Sequence, residues 1–187
     1  MSIETKDITV EKVKTSKIDQ VDFDNLTFGS VFTDHMLVCT YKNGAWEMPK
    51  IVPYQPIVLD PSSKIFHYGQ SIFEGMKAYK DKNDDVFLFR PLENFKRFNI
   101  SADRMCIPQI PQEYFMDGLT TLLNIDKDFI PTKDGSSLYI RPFMFASGNG
   151  FHASPANEYK FIIACAPSGA YFSGKVKVLI EERYSRS

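Results

Sequence analysis

The stretch MKAYKDKNDDVFLFRPLENFKRFNISADRM (76–105) changes its apolar rhythm halfway along. MKAYKD and DDVFLFR are β-rich runs that fold back on one another around Asn83, an antiparallel hairpin. After Pro91 the apolar residues Leu92, Phe95, Phe98, Ala102 and Met105 follow at intervals of three, three, four and three. That spacing predicts a helix with one buried face. Pro91 suits its first turn, because the N–H it lacks would have no intrahelical partner there. A hairpin that runs into a one-sided helix calls for a sheet with helices laid against it.

The flanking sequence repeats both elements. HMLVCTY (35–41) and KNGAWEMPKIV (42–52) meet at Asn43-Gly44, a dipeptide that accepts positive φ and so favours a tight hairpin turn. Pro111 opens a second helix with Phe115, Leu119 and Leu122 on one face, weakened slightly by Gly118. SSLYIRPFMFA (136–146) and EYKFIIACA (158–166) read as two further strands, joined by the Gly-containing loop SGNGFHASPAN (147–157). There is no internal repeat. The expected fold class is α+β, an antiparallel sheet with helices packed on it. Residues 1–25 carry little apolar periodicity and are expected as a loosely attached arm. At the other end Val176, Val178 and Ile180 alternate as a strand would.

Composition limits the classes of partner. Lys and Arg number 22 against 23 Asp and Glu, a formal net charge of −1, without the basic excess that nucleic acid or an anionic membrane usually demands. No apolar run approaches the roughly twenty residues of a membrane span, and the start is polar with no signal-peptide core. Cys39, Cys106 and Cys165 each sit in an apolar stretch and are expected as buried, reduced thiols. A cytoplasmic protein is the expectation.

No motif declares a catalytic centre unaided, and His35, His67 and His152 do not stand at metal-ligand spacing. They read as structural, and no metal site is expected. Two arginines stand out. Arg97 lies beside the apolar row of the first helix, either as a surface residue packing its stem or as a planar fork for phosphate oxygens. Arg141 interrupts the apolar strand LYIRPF and needs a partner, either a protein carboxylate or an anionic ligand. Tyr68, Phe73, Tyr139 and Tyr171 suit a core as well as a site.

Five blocks in order, FGSVFTDHM (28–36), HYGQSIFEGMKAY (67–79), LFRPLENFKRFNISADRM (88–105), SLYIRPF (137–143) and APSGAYF (166–172), resemble the branched-chain amino-acid aminotransferases. These are fold type IV enzymes that use pyridoxal 5′-phosphate. The likeness implies a homodimeric transaminase that exchanges leucine, isoleucine or valine with 2-oxoglutarate, acting on amino acids and 2-oxo acids. It casts residues 26–173 as the small domain and 174–187 as a connector to a larger one. It assigns Arg97 to the cofactor phosphate, and Phe28, Tyr68, Phe73, Tyr139 and Tyr171 to the aromatic wall around the substrate side chain. Arg141 it assigns to the distal carboxylate of glutamate.

The loop GNGFHAS (148–154) departs from the family's commoner form, in which an apolar residue reaches the partner subunit. Ala153 takes that position here. The lysine that carries the cofactor covalently has no counterpart, since Lys175 and Lys177 lack its sequence context and read as solvent-facing. No catalytic residue is therefore expected within the chain, which alone is expected to be inactive. The alternatives are a non-catalytic half domain serving as an interaction module, an aminodeoxychorismate lyase or a D-amino-acid aminotransferase.

Overall fold

A computed structural model describes residues 8–170 and 174–185. Its centre is a mixed sheet of nine strands with few helices. In chain order the elements are β1 (Thr9–Val10), β2 (His35–Lys42), β3 (Ala45–Trp46), β4 (Lys50–Pro53), α1 (Lys64–Tyr68), β5 (Ser71–Phe73), β6 (Met76–Lys80), β7 (Val86–Leu88), α2 (Pro91–Arg104), α3 (Gln112–Ile125), β8 (Ser137–Ala146) and β9 (Tyr159–Ser168). Strands run β1-β4-β2-β9-β8-β6-β7, with β3 beside β2 and β5 beside β8. All pairs are antiparallel except the two-residue pair of β1 with β4.

The expected hairpins form. Asn43 and Gly44 both take positive φ, 55° and 80°, in the β2–β3 turn, the pair of values that matches the right-handed twist of the flanking strands. In the β6–β7 hairpin it is Asp84, not Asn83, that turns the chain through positive φ. Asp81 holds that loop by accepting from the amides of Asn83 and Asp85.

β8 and β9 pair over ten residues, from Ser137 with Ser168 to Ala146 with Tyr159. Strand alternation then gives the sheet two apolar faces. Leu138, Ile140 and Met144 of β8, Phe161 and Ile163 of β9, and Leu37 and Cys39 of β2 join the core beneath α2 and α3. Phe95, Phe98 and Ala102 of α2, with Phe115, Leu119 and Leu122 of α3, supply the other side. Phe115 stacks on Phe161 at 5.6 Å, and Phe98 meets the same ring edge-on at 5.5 Å. Leu92 and Met105, the ends of the predicted row, are exposed. Pro111 stands just ahead of α3 as its N-cap rather than within it.

β5 and β6 are one strand interrupted. Ile72 faces Met144 and Met76 faces Ile140, the same register on both sides of the gap. Opposite the gap stands Pro142, which has no N–H to give a neighbouring strand. Its carbonyl still accepts from the Glu74 amide at 2.8 Å, so alignment survives where the ladder does not.

Three expectations need correction. The described part of the 1–25 segment is docked on the sheet: β1 pairs with β4, and Ile8, Ile18 and Val21 pack on the core. The Val13 amide donates to Nε2 of buried His35, whose Nδ1 faces Asp126 at 2.7 Å, so His35 holds its ring proton on the Asp126 side. Cys106 is exposed, whereas Cys39 and Cys165 are buried as expected; all three thiols are free. Residues 174–185 form no strand and are exposed throughout, because alternation alone gives no backbone partners. Lys175 and Lys177 face solvent with them.

Candidate functional site

The sheet face away from α2 and α3 lines a hollow of about 680 Å3. Tyr139, Arg141, Phe143 and Phe145 reach it as alternate residues of β8, and Ile162, Ala164 and Ala166 as alternate residues of β9. Phe28, Phe32, Tyr54 and Phe73 enclose it from the surrounding loops and from β5. Phe32 stacks flat on Tyr54 at 4.6 Å, and Phe28 meets Tyr139 edge-on at 4.8 Å. The walls are thus mostly aromatic and aliphatic carbon.

Arg141 is the one charged side chain among the described lining residues. Its guanidinium lies 4.3 Å from the Phe73 ring centroid and 5.2 Å from that of Tyr139. Nε and Nη2 donate to the Tyr139 hydroxyl at 3.0 and 2.8 Å. Among the described residues no carboxylate lies within ion-pair distance of it. Two aromatic faces and one phenol therefore fix a cation whose remaining N–H groups have no anion. Gly75 makes that placement possible: a Cβ there would stand 2.7 Å from the Tyr139 hydroxyl.

Arg97 lies elsewhere. It projects from α2 and is absent from the hollow's lining. Nε and Nη2 clasp the two carboxylate oxygens of Glu74, the residue at the Pro142 gap, with Nη2 at 2.8 Å from Oε2. Burial pushes the Glu74 carboxyl up, but hydrogen bonds from Arg97, Asn94 and the Gly75 amide outweigh it and hold the carboxyl below its usual range. Glu74 in turn raises the Arg97 guanidinium further. The Glu74 side chain is 5% exposed and that of Arg97 67%, so one end of the pair is anchored and the other open to solvent.

Of the sequence candidates, the hollow gathers Phe28, Phe73, Tyr139 and Arg141. Tyr68 does not line it; its hydroxyl donates to the Phe151 carbonyl. Tyr171 lies outside the described residues. Ala153 is exposed on its loop. Sequence reasoning missed Phe32, Tyr54, Phe143, Phe145 and Glu74. Alternation through SLYIRPFMFA puts Phe143 and Phe145 on the face of Tyr139 and Arg141, a signal that was available; nothing local marks Tyr54 or Glu74. Cys165 borders the hollow as a thiol, because burial and the nearby Asp126 charge push it well up. Burial likewise pushes Cys39 up to about 12. Neither supplies a thiolate nucleophile near neutral pH. Among the described residues no helix is long and apolar enough to cross a membrane.

Over almost its whole length the chain is similar to branched-chain aminotransferases. It is 45% identical over 184 residues to branched-chain-amino-acid aminotransferase 2 of Bacillus subtilis, covering 96% of this chain and 50% of that protein. It is 41% identical to branched-chain-amino-acid transaminase 1 of the same organism, covering 95% and 52%. The chain thus spans about half the length of these relatives. Among solved structures, the branched-chain amino acid aminotransferase of Escherichia coli superposes with a TM-score of 0.57 at 26% identity, over 74% of this chain and 41% of that one. No protein-family model matches the chain.

Proposed function

We propose that this chain forms the substrate-side-chain wall of a branched-chain amino-acid aminotransferase. The reaction would exchange the amino group of leucine, isoleucine or valine with 2-oxoglutarate. The observation that carries the reading is Arg141, held between aromatic rings in an otherwise carbon-lined hollow with no carboxylate beside it among the described residues. Such a hollow suits two kinds of substrate in turn. Aromatic and aliphatic walls favour a branched apolar chain at about 25 cal/mol per Å2 removed from water. The same walls leave Arg141 able to give charge-assisted hydrogen bonds when a distal carboxylate arrives.

Pyridoxal 5′-phosphate fits the reading. Among the described residues Nη1 of Arg97 has no hydrogen-bond partner, and the guanidinium is open to solvent while Glu74 fixes its direction. Arg97 would hold the phosphate, a planar fork against tetrahedral oxygens. When bound, the coenzyme supplies the electron sink that lets bonds at the amino acid's α-carbon break. The chain's own residues bind and orient the side chain and exclude water from it. We further propose that the lysine holding the coenzyme lies outside this sequence, that residues 26–173 form the small domain and 174–187 a connector, that the chain alone is inactive, and that the enzyme is a cytoplasmic homodimer.

Arg141→Ala in the full-length aminotransferase tests this. The change removes a charge-assisted contact worth about 1.5–3 kcal/mol. That predicts roughly a tenfold to hundredfold drop in kcat/KM for glutamate, with leucine changed by less than about threefold. Equal losses for both substrates contradict the role of Arg141. Absence of leucine transamination in the parent enzyme removes the function itself.

A further inference from the structure

Lys64 is a buried cation with no anion. It stands at the first position of α1, 5% exposed, and among the described residues it makes no ion pair. Its Nζ points into the 148–155 loop instead. The Ser154 carbonyl lies at 2.6 Å, the Ser154 hydroxyl at 2.7 Å, and the carbonyls of His152 and Pro155 at 3.3 and 3.4 Å. Three of these four atoms can only accept, so the ammonium's three N–H bonds are what gathers them. Four residues further along α1, on the same helical face, Tyr68 donates its hydroxyl to the Phe151 carbonyl. Lys64 and Tyr68 thus hold adjoining stretches of the loop, Tyr68 at Phe151 and Lys64 from His152 to Pro155.

The grip continues into the backbone. The Lys64 amide donates to the Gly148 carbonyl at 2.9 Å, and the Gly150 amide to the Ser62 carbonyl at 3.0 Å. On another side of α1, Ile65 lines the hollow and packs against the cluster of Met36, Phe145 and Ile162. One short helix therefore lies between the loop and the hollow.

We infer that Lys64 is a positioning residue: its ammonium folds residues 148–155 into one arrangement, and that arrangement fixes the direction of the Tyr68 hydroxyl. Take the ammonium away and the converging carbonyls lose the donor they share, so they turn to water and the loop opens. The Phe151 carbonyl leaves with it, and Tyr68 is released. The hold of Lys64 on the loop and on Tyr68 stands whether or not the chain belongs to an aminotransferase.

The test uses the purified 187-residue chain with carbon-13 at the tyrosine Cζ, the Tyr68 signal being identified by its loss in Tyr68→Phe. In Lys64→Ala, amide exchange at Gly150 and Ser154 should accelerate at least tenfold, and the Tyr68 signal should move to the position of a tyrosine whose hydroxyl bonds only to water. Exchange in β8 and β9 should stay as in the native chain. n-Propylammonium, which replaces the three missing carbons and the nitrogen, should restore both signals, and tetramethylammonium, equal in charge but without N–H, should not. Unchanged loop exchange overturns the proposal, as does a loosened loop with Tyr68 unmoved, or equal rescue by both cations. Should β8 and β9 exchange also rise, Ser154→Ala decides the matter: it removes one acceptor and no charge, and must loosen the loop by a smaller factor in the same direction. If these results hold and leucine is nevertheless not a substrate of the parent enzyme, only the aminotransferase reading falls.

Discussion

Gly118 lies in the middle of α3, where glycine costs a helix about 1 kcal/mol relative to alanine. On that ground Gly118→Ala should stabilise the protein. The packing says otherwise. A Cβ at Gly118 would stand 2.5 Å from Cδ1 of Leu37, nearer than carbon atoms tolerate. Leu37 is fully buried, pinned in β2 between Ile51 and Ile163, so its side chain has nowhere open to swing. Overpacking of this kind costs about 1–3 kcal/mol. Set against the helical gain, Gly118→Ala should destabilise the native protein by about 1 kcal/mol.

The same substitution should reverse sign once Leu37 is shortened. Leu37→Ala alone should cost about 2–5 kcal/mol, the usual range for a fully buried leucine. In that background the clash is gone, the new methyl fills part of the cavity, and the helical preference is left. Gly118→Ala should then stabilise by about 1 kcal/mol, a coupling of about 2 kcal/mol between the two sites. Urea unfolding of the four proteins, followed by far-ultraviolet circular dichroism, gives the cycle, and equal m-values show that the unfolded states are comparable. If Gly118→Ala stabilises both backgrounds alike, the close approach of α3 to β2 does not govern this position and the reasoning fails.

Two further changes probe the Glu74–Arg97 pair. Glu74→Gln keeps the shape and removes the charge; because the folded carboxyl sits below its ordinary value of 4.5, native Glu74 contributes stability above that pH and loses it as pH falls through the folded value. The stability deficit of Glu74→Gln should therefore be full at pH 7 and shrink steadily below about pH 4.5; denaturant midpoints that differ by the same amount at pH 7 and pH 3 would refute the pairing. In the proposed full-length aminotransferase, Arg97→Ala should weaken pyridoxal 5′-phosphate binding by roughly tenfold or more, the scale of a charge-assisted phosphate contact. An unchanged cofactor dissociation constant takes Arg97 out of the site.

The layout of the fold was legible where a single local rule decides. Asn43-Gly44 can turn a hairpin, and the row Phe95, Phe98, Ala102 can face only one way from a helix. α1 escaped notice because five residues are too few to show a period, and its role depends on Lys64 meeting carbonyls some ninety positions away. Gly118 looked like a weak point in a helix because the residue it accommodates lies in β2. The docked N-terminal segment was hidden for a similar reason: Val13 and Lys17 are held by His35 and Asp34 through their amides, and no side-chain pattern reports where an amide points. Val176, Val178 and Ile180 erred the opposite way, since alternation describes a side-chain preference and says nothing of whether a neighbouring strand is present.

The two arginines show how far charge reasoning reaches. Arg97 stands beside the apolar row of α2, and Arg141 stands inside an apolar strand where a charge needs a partner. What separates them is Pro142. Because it cannot donate, the strand opposite breaks at Glu74–Gly75 while keeping its register. Alternation then sends Glu74 toward α2, where Arg97 and Asn94 take its carboxylate, and leaves Gly75 beneath the Tyr139 hydroxyl. The carboxylate nearest in sequence to the gap is thereby committed to Arg97 and Asn94 on the opposite face from Arg141. Arg141 is left with a phenol and two rings, contacts that fix its position without cancelling its charge. A cation held in that way is what a hollow needs if it must accept a carbon chain in one half-reaction and a carboxylate in the next: strong pairing within the protein would close it to the carboxylate, and a mobile arginine would expose the carbon chain to water.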